Sequence, residues 1–445
     1  MKSNFLLIFA VLMNNGCSNQ TQQHNKARLL VVDPQHFHAA LVQKYAHPKI
    51  DSIVHLFAER EGEILGYNKL ISQYNDRKYA PTKWETVSYY GIDYLQQAAS
   101  RKQGNVAILA GDNNKKITYI KHISENGIDV FADKPLVIDR SGYIELDKLL
   151  SQKKSLVYDI MSERYDVKNE LLKVLILDKD FSGGFEENSL APLITFSSTH
   201  HFIKEVSGKP LIRPALFFDV KKQGEGLVDV TTHYIDLVQW ILSSEKVVVL
   251  EKDLKLQKSE RWTTVISKEQ FTKATNLTEY PNQLVQSVKG NQLEVFSNGK
   301  IDYLFKNIPV SIAVQWNVES KDGKGDKFHA RFLTKKVQFE ILPDDSGKPS
   351  IYLKPIVDIV HFEEKVKKAL VNTEKFFAVT IKKVGSKYQL IVPSELYLNH
   401  EEHFAKVLDQ FLIYRKQKTI PEWETSFLRA KYHLTTLALE KAATR

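Results

Sequence analysis

The feature that most constrains the fold is a repeated alternation of short apolar runs with helical stretches in the first part of the chain. Leu29 to Val32 is apolar throughout, as in a strand buried on both faces, and Ala39 to Ala46 after it favours a helix. Further strand-like runs follow at Ser52 to Ala58, Val106 to Ala110, Asp129 to Ala132 and Leu156 to Ile160. The alternation predicts a Rossmann-type parallel sheet over residues 28–157.

The remainder, residues 158–445, has the period-two pattern of antiparallel strands. Asn298-Gly299 interrupts the run from Gln292 to Phe305, and we expect a hairpin there because Asn-Gly suits a type I′ turn. Two final helices, over His400 to Arg415 and Thr425 to Lys441, could pack on either domain. The predicted class is α/β, with a Rossmann-type domain followed by an α+β domain that carries a large, mainly antiparallel open sheet.

Charge and cysteine content exclude several functions. The net charge is +9, but the lysines are scattered among acids and no aromatic-basic array accompanies them, so nucleic-acid binding is not expected. The single cysteine, Cys17, excludes an internal disulfide and a cysteine-based metal site, and no metal site of another kind is predicted.

The N-terminus has the composition of an export signal. Lys2 precedes the apolar run Phe5 to Met13, which is too short for a permanent membrane span, and Gly16-Cys17 follows. Residues 1–17 resemble a bacterial lipoprotein signal, with 18–27 as a linker, so we expect lipidation of Cys17 and anchoring to the cell envelope, facing the periplasm or the outside. An ordinary cleaved signal peptide and an uncleaved anchor are the alternatives.

The turn after the first predicted strand departs from the usual dinucleotide fingerprint. Asp33 to Ala40 has no glycine at the three positions where glycines normally approach the pyrophosphate. The segment still predicts a strand, a sharp proline turn and the start of a helix. Phosphate could therefore bind there to backbone amides, at Gln35, His36, Phe37 and His38. Glu59, at the end of the second strand, is placed to bind ribose hydroxyls. An ordinary strand-to-helix turn is the alternative.

Two further clusters carry candidate chemistry. Asp133-Lys134-Pro135 ends a strand, so the lysine lies at the carboxyl edge of a parallel sheet, where ligands of such folds bind. Asp229 and His233 are four residues apart behind a glycine-rich entry, and on one helix both would project from the same face. A surface lysine and a structural histidine are the alternatives.

With both clusters, the chain resembles the family of glucose-fructose oxidoreductase and inositol dehydrogenase. Its Glu-Lys-Pro motif matches Asp133-Lys134-Pro135, and its glycine-rich Asp-x-x-x-His segment matches Gly224 to His233. The chain is most similar to a bacterial branch with a special C-terminal oxidoreductase domain. That similarity extends over Asp33 to Leu41, Leu156 to Tyr165, His200 to Val220 and His400 to Phe404.

The resemblance implies hydride transfer between a sugar or glycoside carbon and a nicotinamide. His233 would be the general base, Asp229 would orient the sugar or the histidine, and Lys134 would favour negative charge on oxygen and position the nicotinamide. Asn113 and Asp133 would contact the cofactor, and Arg164, Tyr165, His201 and Lys204 are expected on the substrate side. It also implies a homo-oligomer, since the open sheet of such proteins often forms a dimer interface.

Export restricts the cofactor, because a periplasm has no pool of free NAD. We therefore expect NAD or NADP to be tightly bound, with Glu59 favouring NAD because a carboxylate repels a 2′-phosphate. Two other functions remain open. One is glycoside cleavage through transient oxidation with no net redox change, and the other is a non-catalytic sugar-binding lipoprotein on the same scaffold.

Overall fold

The computed structural model describes residues 26–206, 209–320, 325–371 and 373–444. Cys17, the predicted signal and nearly all of the predicted linker lie outside these ranges. None of the helices within these ranges is long and apolar enough to cross a membrane.

The first sheet has six parallel strands, β1 (Leu29–Val32), β2 (Ile53–Ala58), β3 (Glu85–Tyr90), β4 (Val106–Leu109), β5 (Asp129–Ala132) and β6 (Val157–Asp159). Their order in the sheet is β3-β2-β1-β4-β5-β6. The order reverses between β1 and β4, which makes the carboxyl ends of these two strands the topological switch point, where ligands of doubly wound sheets bind. This confirms the predicted Rossmann-like sheet, although β3 was not predicted from the sequence.

The helices of this part cover both faces of the parallel sheet. The first is only four residues long, much shorter than the predicted stretch from 39 to 46. They are α1 (His38–Leu41), α2 (Leu65–Asp76), α3 (Tyr94–Ser100), α4 (Asn113–Glu125) and α5 (Arg140–Gln152), followed by α6 (Val167–Leu177) and α7 (Lys179–Ser182) in the connection to the second sheet.

The second sheet is large and mixed, and most neighbouring strands are antiparallel. Its order is β17-β18-β16-β15-β14-β7-β13-β12-β10-β19, with β11 paired to β12, while β7–β13 and β10–β19 are parallel pairs. The strands are β7 (Ile194–Ile203), β10 (Leu254–Ser267), β11 (Val288–Lys289), β12 (Gln292–Phe305), β13 (Ile308–Glu319), β14 (Lys327–Leu333), β15 (Val337–Pro343), β16 (Pro349–Pro355), β17 (Thr380–Val384), β18 (Lys387–Ile391) and β19 (Ala443–Thr444), beside a separate pair, β8 (Glu205–Val206) with β9 (Lys209–Pro210).

The hairpin predicted at Asn298-Gly299 is wrong, because β12 runs unbroken through both residues. Asn298 is buried, its amide donates to the carbonyl of Trp262, and its Oδ1 accepts from the amide of Trp316. A Cβ on Gly299 would lie 2.5 Å from a methyl of Leu227, so glycine is needed for close packing there. The actual turn is at Lys306 and Asn307, which both have positive φ.

The two terminal helices pack against the parallel sheet and join it to the second domain. The remaining helices are α8 (Val220–Gln223), α9 (Thr231–Ser243), α10 (Leu250–Asp253), α11 (Lys268–Thr275), α12 (Phe362–Val371), α13 (His400–Gln417) and α14 (Glu422–Lys441). Phe411 of α13 stacks on Phe131 of β5, with ring centroids 4.9 Å apart. Lys431 of α14 is fully buried and its Nζ binds Asp159 of β6 at 2.7 Å and Asp236 of α9 at 3.0 Å. These contacts hold the two domains together, and a cleft lies between their two sheets.

Candidate functional site

Lys134 lies in this cleft, two residues after the end of β5. Its Nζ donates to Oδ1 of Asp229 at 2.5 Å, so the pair joins the two domains. Burial opposes the charged ammonium, but Asp229 and Asp133 outweigh burial and raise the pKa of Lys134. Burial also opposes the carboxylate of Asp229, yet Lys134 lowers its pKa below the usual value. Both members of the pair are therefore charged at neutral pH.

His233 lies beside this pair, in the first turn of α9. The sequence predicts that Asp229 and His233 share one helix. This prediction is wrong, because α9 begins at Thr231 and Asp229 belongs to the preceding turn. Asp229 pairs with Lys134 and does not lie on one helical face with His233. Burial and the charge of Lys134 lower the pKa of His233 to about 3, so the imidazole is neutral at working pH. Its buried Nδ1 has no hydrogen-bond partner among the described residues.

Two cavities meet at Lys134. The first, of about 150 Å³, lies at the switch point, and the second, of about 410 Å³, lies towards the large sheet. Lys134 and His38 line both cavities, whereas Asp229 lines the first and His233 the second. The first is also lined by His36, Asn113, Asp133, Phe202, Phe217, Gln223 and Trp316, and the second by Glu163, Asp166, Lys168, His200, Tyr234, Phe328 and His400.

In the turn that follows β1, two backbone amides already donate hydrogen bonds to carbonyl groups. The amide of Gln35 donates to the carbonyl of Asp33, and the amide of His36 donates to the carbonyl of Ala110. Asp33 has a φ of 52°, and its buried carboxylate accepts hydrogen bonds from the side chain of Gln35 and the hydroxyl of Tyr119. The prediction that the amides of Gln35 and His36 meet a phosphate is therefore wrong, because both already bind carbonyls.

The side chains of this turn have different surroundings. His36 and His38 face Asp133, with Nδ1–Oδ2 distances of 3.4 Å and 2.9 Å, whereas Phe37 is 52% exposed. Glu59 follows β2 as predicted, but it lines neither cavity at Lys134, and its carboxylate lies 3.8 Å from the ammonium of Lys115.

Asn113 lines the switch-point cavity but its amide group is already engaged. Its Nδ2 donates to the main-chain carbonyl of Gln223 at 2.9 Å, and its Oδ1 accepts from the buried Nζ of Lys116 at 2.5 Å. Asn113 thus bridges the two domains at the cleft.

The glycine-rich entry before α9 has a packing role. The amide of Gly226 donates to the carbonyl of Phe296, and a Cβ on Gly226 would lie 2.1 Å from the carbonyl oxygen of Ser297. Gly224 has a φ of 92°, which few other residues adopt. These glycines let the turn that carries Asp229 approach β12.

The expected placement of Arg164 and Tyr165 at the substrate side is wrong. Arg164 is buried, and its guanidinium binds both carboxylate oxygens of Asp236, at 2.6 and 2.8 Å, and Glu424 at 2.7 Å. Tyr165 is partly buried against the core between α13 and the parallel sheet. A bidentate buried pair fixes the arginine as a structural residue, and neither side chain lines the cavities at Lys134.

His201 and Lys204 lie together, but in a third cavity of about 930 Å³ whose lining residues are separate from those of the other two. His201 is buried, and its Nδ1 lies 3.2 Å from the carboxylate of Asp326, which also binds Lys204 at 2.6 Å. The structure therefore does not bring these two residues to Lys134 and His233.

Sequence reasoning missed several polar groups of the second cavity, among them Glu163 and His400. Burial raises the pKa of Glu163 to about 7, so this carboxyl titrates near working pH. The ring of His400 lies 5.4 Å from that of His38, and burial lowers its pKa. Glu163 follows the last parallel strand, at the sheet edge where ligands bind, and that position was its only signal in the sequence.

Comparison with solved structures identifies a similar protein over almost the whole chain. The crystal structure of "a putative oxidoreductase from Parabacteroides merdae ATCC 43184" is 35% identical, with a TM-score of 0.89, and the match covers 94% of this chain and 98% of that one. The crystal structure of a "putative oxidoreductase from Erwinia carotovora atroseptica SCRI1043", at 12% identity and a TM-score of 0.59, has the same fold, and the match covers 94% of this chain and 99% of that one.

A third solved structure with the same fold is KijD10, a 3-ketoreductase from Actinomadura kijaniata in complex with TDP-benzene and NADP. It is 11% identical, with a TM-score of 0.55, and the match covers 94% of this chain and 99% of that one. A search of curated proteins finds no match.

Residues 171–443 match the family model described as "Putative oxidoreductase C terminal domain". This match covers more than half of the chain and confirms the resemblance drawn from the two sequence clusters. The chain belongs to the family of glucose-fructose oxidoreductase and inositol dehydrogenase-like oxidoreductases, in the branch with that C-terminal domain.

Proposed function

We propose that this oxidoreductase uses a nicotinamide nucleotide to oxidise a hydroxyl of a sugar or glycoside. The observation that carries the proposal is the Lys134–Asp229 pair at the junction of two cavities, with the neutral imidazole of His233 lining the second. A buried ammonium next to a neutral imidazole is suited to an alcohol that loses its proton while negative charge develops on oxygen.

The cleft suits the nicotinamide end of a dinucleotide better than the pyrophosphate end. The sheet has the strand order of dinucleotide-binding folds, and Asn113 and Lys134 line the cavity at its switch point. The unpartnered Nδ1 of His233 is a buried polar atom that a ligand or water would satisfy. The amides of Gln35 and His36 are not available to phosphate, so the pyrophosphate would have to be held by other groups.

The protein residues would divide the proton chemistry between them. A nicotinamide bound beside Lys134 would supply the hydride acceptor. The Nζ of Lys134, held in place by Asp229, would donate to the reacting oxygen and stabilise its negative charge. His233 and Glu163 line the same cavity and would both be placed to take the hydroxyl proton; because burial lowers the pKa of His233 to about 3, Glu163, with a pKa of about 7, is the better-matched acceptor at working pH.

The test has two stages. First, purified protein is denatured and any released nucleotide is identified, and stripped protein is titrated separately with NAD and NADP. Second, the loaded protein is offered a panel of hexoses and hexosides, and keto-sugar formation is followed. We expect bound nucleotide and at least one keto-sugar product. If neither nucleotide binds at millimolar concentration, the proposal is refuted and the non-catalytic sugar-binding function becomes the better one.

Redox-neutral glycoside cleavage is the second candidate, and Glu163 favours it. After transient oxidation, elimination needs a base for the proton next to the new carbonyl, and a carboxyl with a pKa near 7 is matched to that step. Release of p-nitrophenol from p-nitrophenyl hexosides without net change in bound nucleotide would support this reaction. Keto-sugar accumulation with an intact glycosidic bond would refute it.

The location and assembly of the protein are also proposals. We propose that the mature chain begins at Cys17, carries a lipid there and faces the periplasm or the outside, and that it forms a homo-oligomer. Support for the first comes from the order of Lys2, the apolar run Phe5 to Met13 and Cys17. Export in turn favours a nucleotide that stays bound through the catalytic cycle.

A further inference from the structure

Three potential metal ligands converge where the glycine-rich turn of a dinucleotide-binding fold would normally lie. The ligand atoms of His36, His38 and Asp133 all lie within 4.8 Å of one another. Both histidines present Nδ1 to the same carboxylate oxygen, Oδ2 of Asp133, at 3.4 Å and 2.9 Å. Three protein ligands of this kind, two imidazoles and a carboxylate, form the ligand set of many catalytic zinc sites.

The two distances from the histidines to the carboxylate of Asp133 fit shared coordination of one ion. Zinc binds imidazole nitrogen and carboxylate oxygen at about 2.0–2.2 Å, so two ligands at octahedral or tetrahedral angles lie about 3.0–3.4 Å apart. The two measured separations, 2.9 Å and 3.4 Å, are close to these limits. Hydrogen bonds from two neutral imidazoles to one carboxylate would also give such distances, and the experiment below separates the two explanations.

Acidic groups gather at this edge of the sheet. Asp33 follows β1, Asp112 follows β4 and Asp133 follows β5, so acids lie at the carboxyl ends of three adjacent strands. Lys222 lies 4.0 Å from Asp112, and Lys116 and Lys134 lie near Asp133. Asp33 is buried and forms no ion pair in the part of the chain that the structure describes, since its carboxylate accepts only neutral hydrogen-bond donors. A divalent ion bound nearby would offset the charge of Asp33.

We propose that His36, His38 and Asp133 bind one divalent transition-metal ion of the zinc type. Nitrogen ligands favour such ions over magnesium and calcium, which prefer oxygen. The cluster lines the cavity at Lys134, so an ion held by these three residues would be accessible to a ligand in the cleft. The failure of this proposal can be distinguished from the failure of the proposed redox reaction, because metal content is measured without nucleotide or sugar.

The experiment uses the full chain, purified without a histidine tag. The protein is stripped with dipicolinate, incubated with ZnCl₂ or CoCl₂, desalted, and analysed by mass spectrometry for metal and by visible absorption for cobalt. We expect one equivalent of metal and cobalt bands in the wild type, and loss of both in His36→Ala and Asp133→Asn. His122→Ala, which removes a histidine of α4 outside the cluster, should keep both.

Folding of each variant is checked by circular dichroism and thermal melting. His36 is the safer substitution because its side chain is 32% exposed, whereas His38 packs against Phe404. Less than a tenth of an equivalent in the wild type would overturn the proposal. So would equal metal content in the wild type and a folded His36→Ala variant, because the ion would then lie elsewhere.

Discussion

Removing the charge of Lys134 separates its catalytic role from its structural role. In Lys134→Met the carboxylate of Asp229 loses the ammonium that lies 2.5 Å away. Breaking a buried ion pair from one side costs about 3–5 kcal/mol. The side chains here are 15% and 32% exposed, so water can offset part of this loss and we expect about 2–3 kcal/mol. The melting temperature should fall by several degrees, at roughly 2 °C per kcal/mol.

The double variant Lys134→Met with Asp229→Asn removes both charges and should recover most of the lost stability, because no unpaired carboxylate remains. Its activity should stay at least about 100-fold below that of the wild type, since the donor to the reacting oxygen is absent. The readouts are thermal melting and keto-sugar formation by nucleotide-loaded protein. If activity returns together with stability in the double variant, Lys134 only holds the fold and the mechanism proposed for it is refuted.

Four other changes test separate parts of the site. Glu163→Gln should remove a titration near pH 7 from the pH profile of activity. Because the native fold raises the pKa of Glu163 from 4.5 to about 7, the stability of the wild type relative to the variant should fall as the pH rises from about 4.5 to 7, by no more than about 3 kcal/mol. If the melting temperatures of the two proteins change in parallel with pH, the pKa assigned to Glu163 is wrong. Lys431→Met leaves Asp159 and Asp236 without a shared cation, so thermal unfolding should show a loss of about 3–5 kcal/mol, and an unchanged melting temperature would refute that role. Glu59→Gln should weaken any preference for NAD over NADP in nucleotide titrations, and an unchanged ratio would show that Glu59 does not contact the ribose. Cys17→Ala should release the protein from the membrane fraction, whereas a variant that stays in that fraction with its apolar N-terminus intact has an uncleaved anchor.

The sequence predicts the parallel sheet well because a strand buried on both faces must be apolar along its length, as Leu29 to Val32 is. It misses β3, an edge strand whose residues are largely exposed and polar, because such a strand has no burial pattern. Asn298-Gly299 is misread for the opposite reason. The pair is typical of a turn, but tertiary contacts with Leu227 and Trp316 determine its conformation, and these partners are distant in the sequence.

Contacts between residues that are distant in the sequence also determine the geometry of the site. Lys134 and Asp229 are 95 residues apart, and their family motifs could be recognised separately, but their direct contact could not be derived from spacing. Arg164 shows the reverse error. An arginine in a predicted loop is expected to contact substrate. In the structure Arg164 instead forms buried ion pairs with Asp236 and Glu424, which lie far from it in the sequence. Local sequence identifies residues with reactive groups, whereas the fold determines whether those groups face the cleft or each other.

The first turn shows why counting glycines does not decide what the cleft binds. A left-handed backbone costs a residue other than glycine roughly 1–2 kcal/mol, and Asp33 adopts a φ of 52°. Hydrogen bonds from Gln35, Tyr119 and the amide of Asp112 to its carboxylate offset that cost, and the same bonds close the turn. A turn of this kind can hold a ligand mainly through side chains, because its amides at Gln35 and His36 are already used. Ligand affinity at the switch point should therefore depend strongly on the identity of His36, His38 and Asp133, as it would not if backbone amides formed the site.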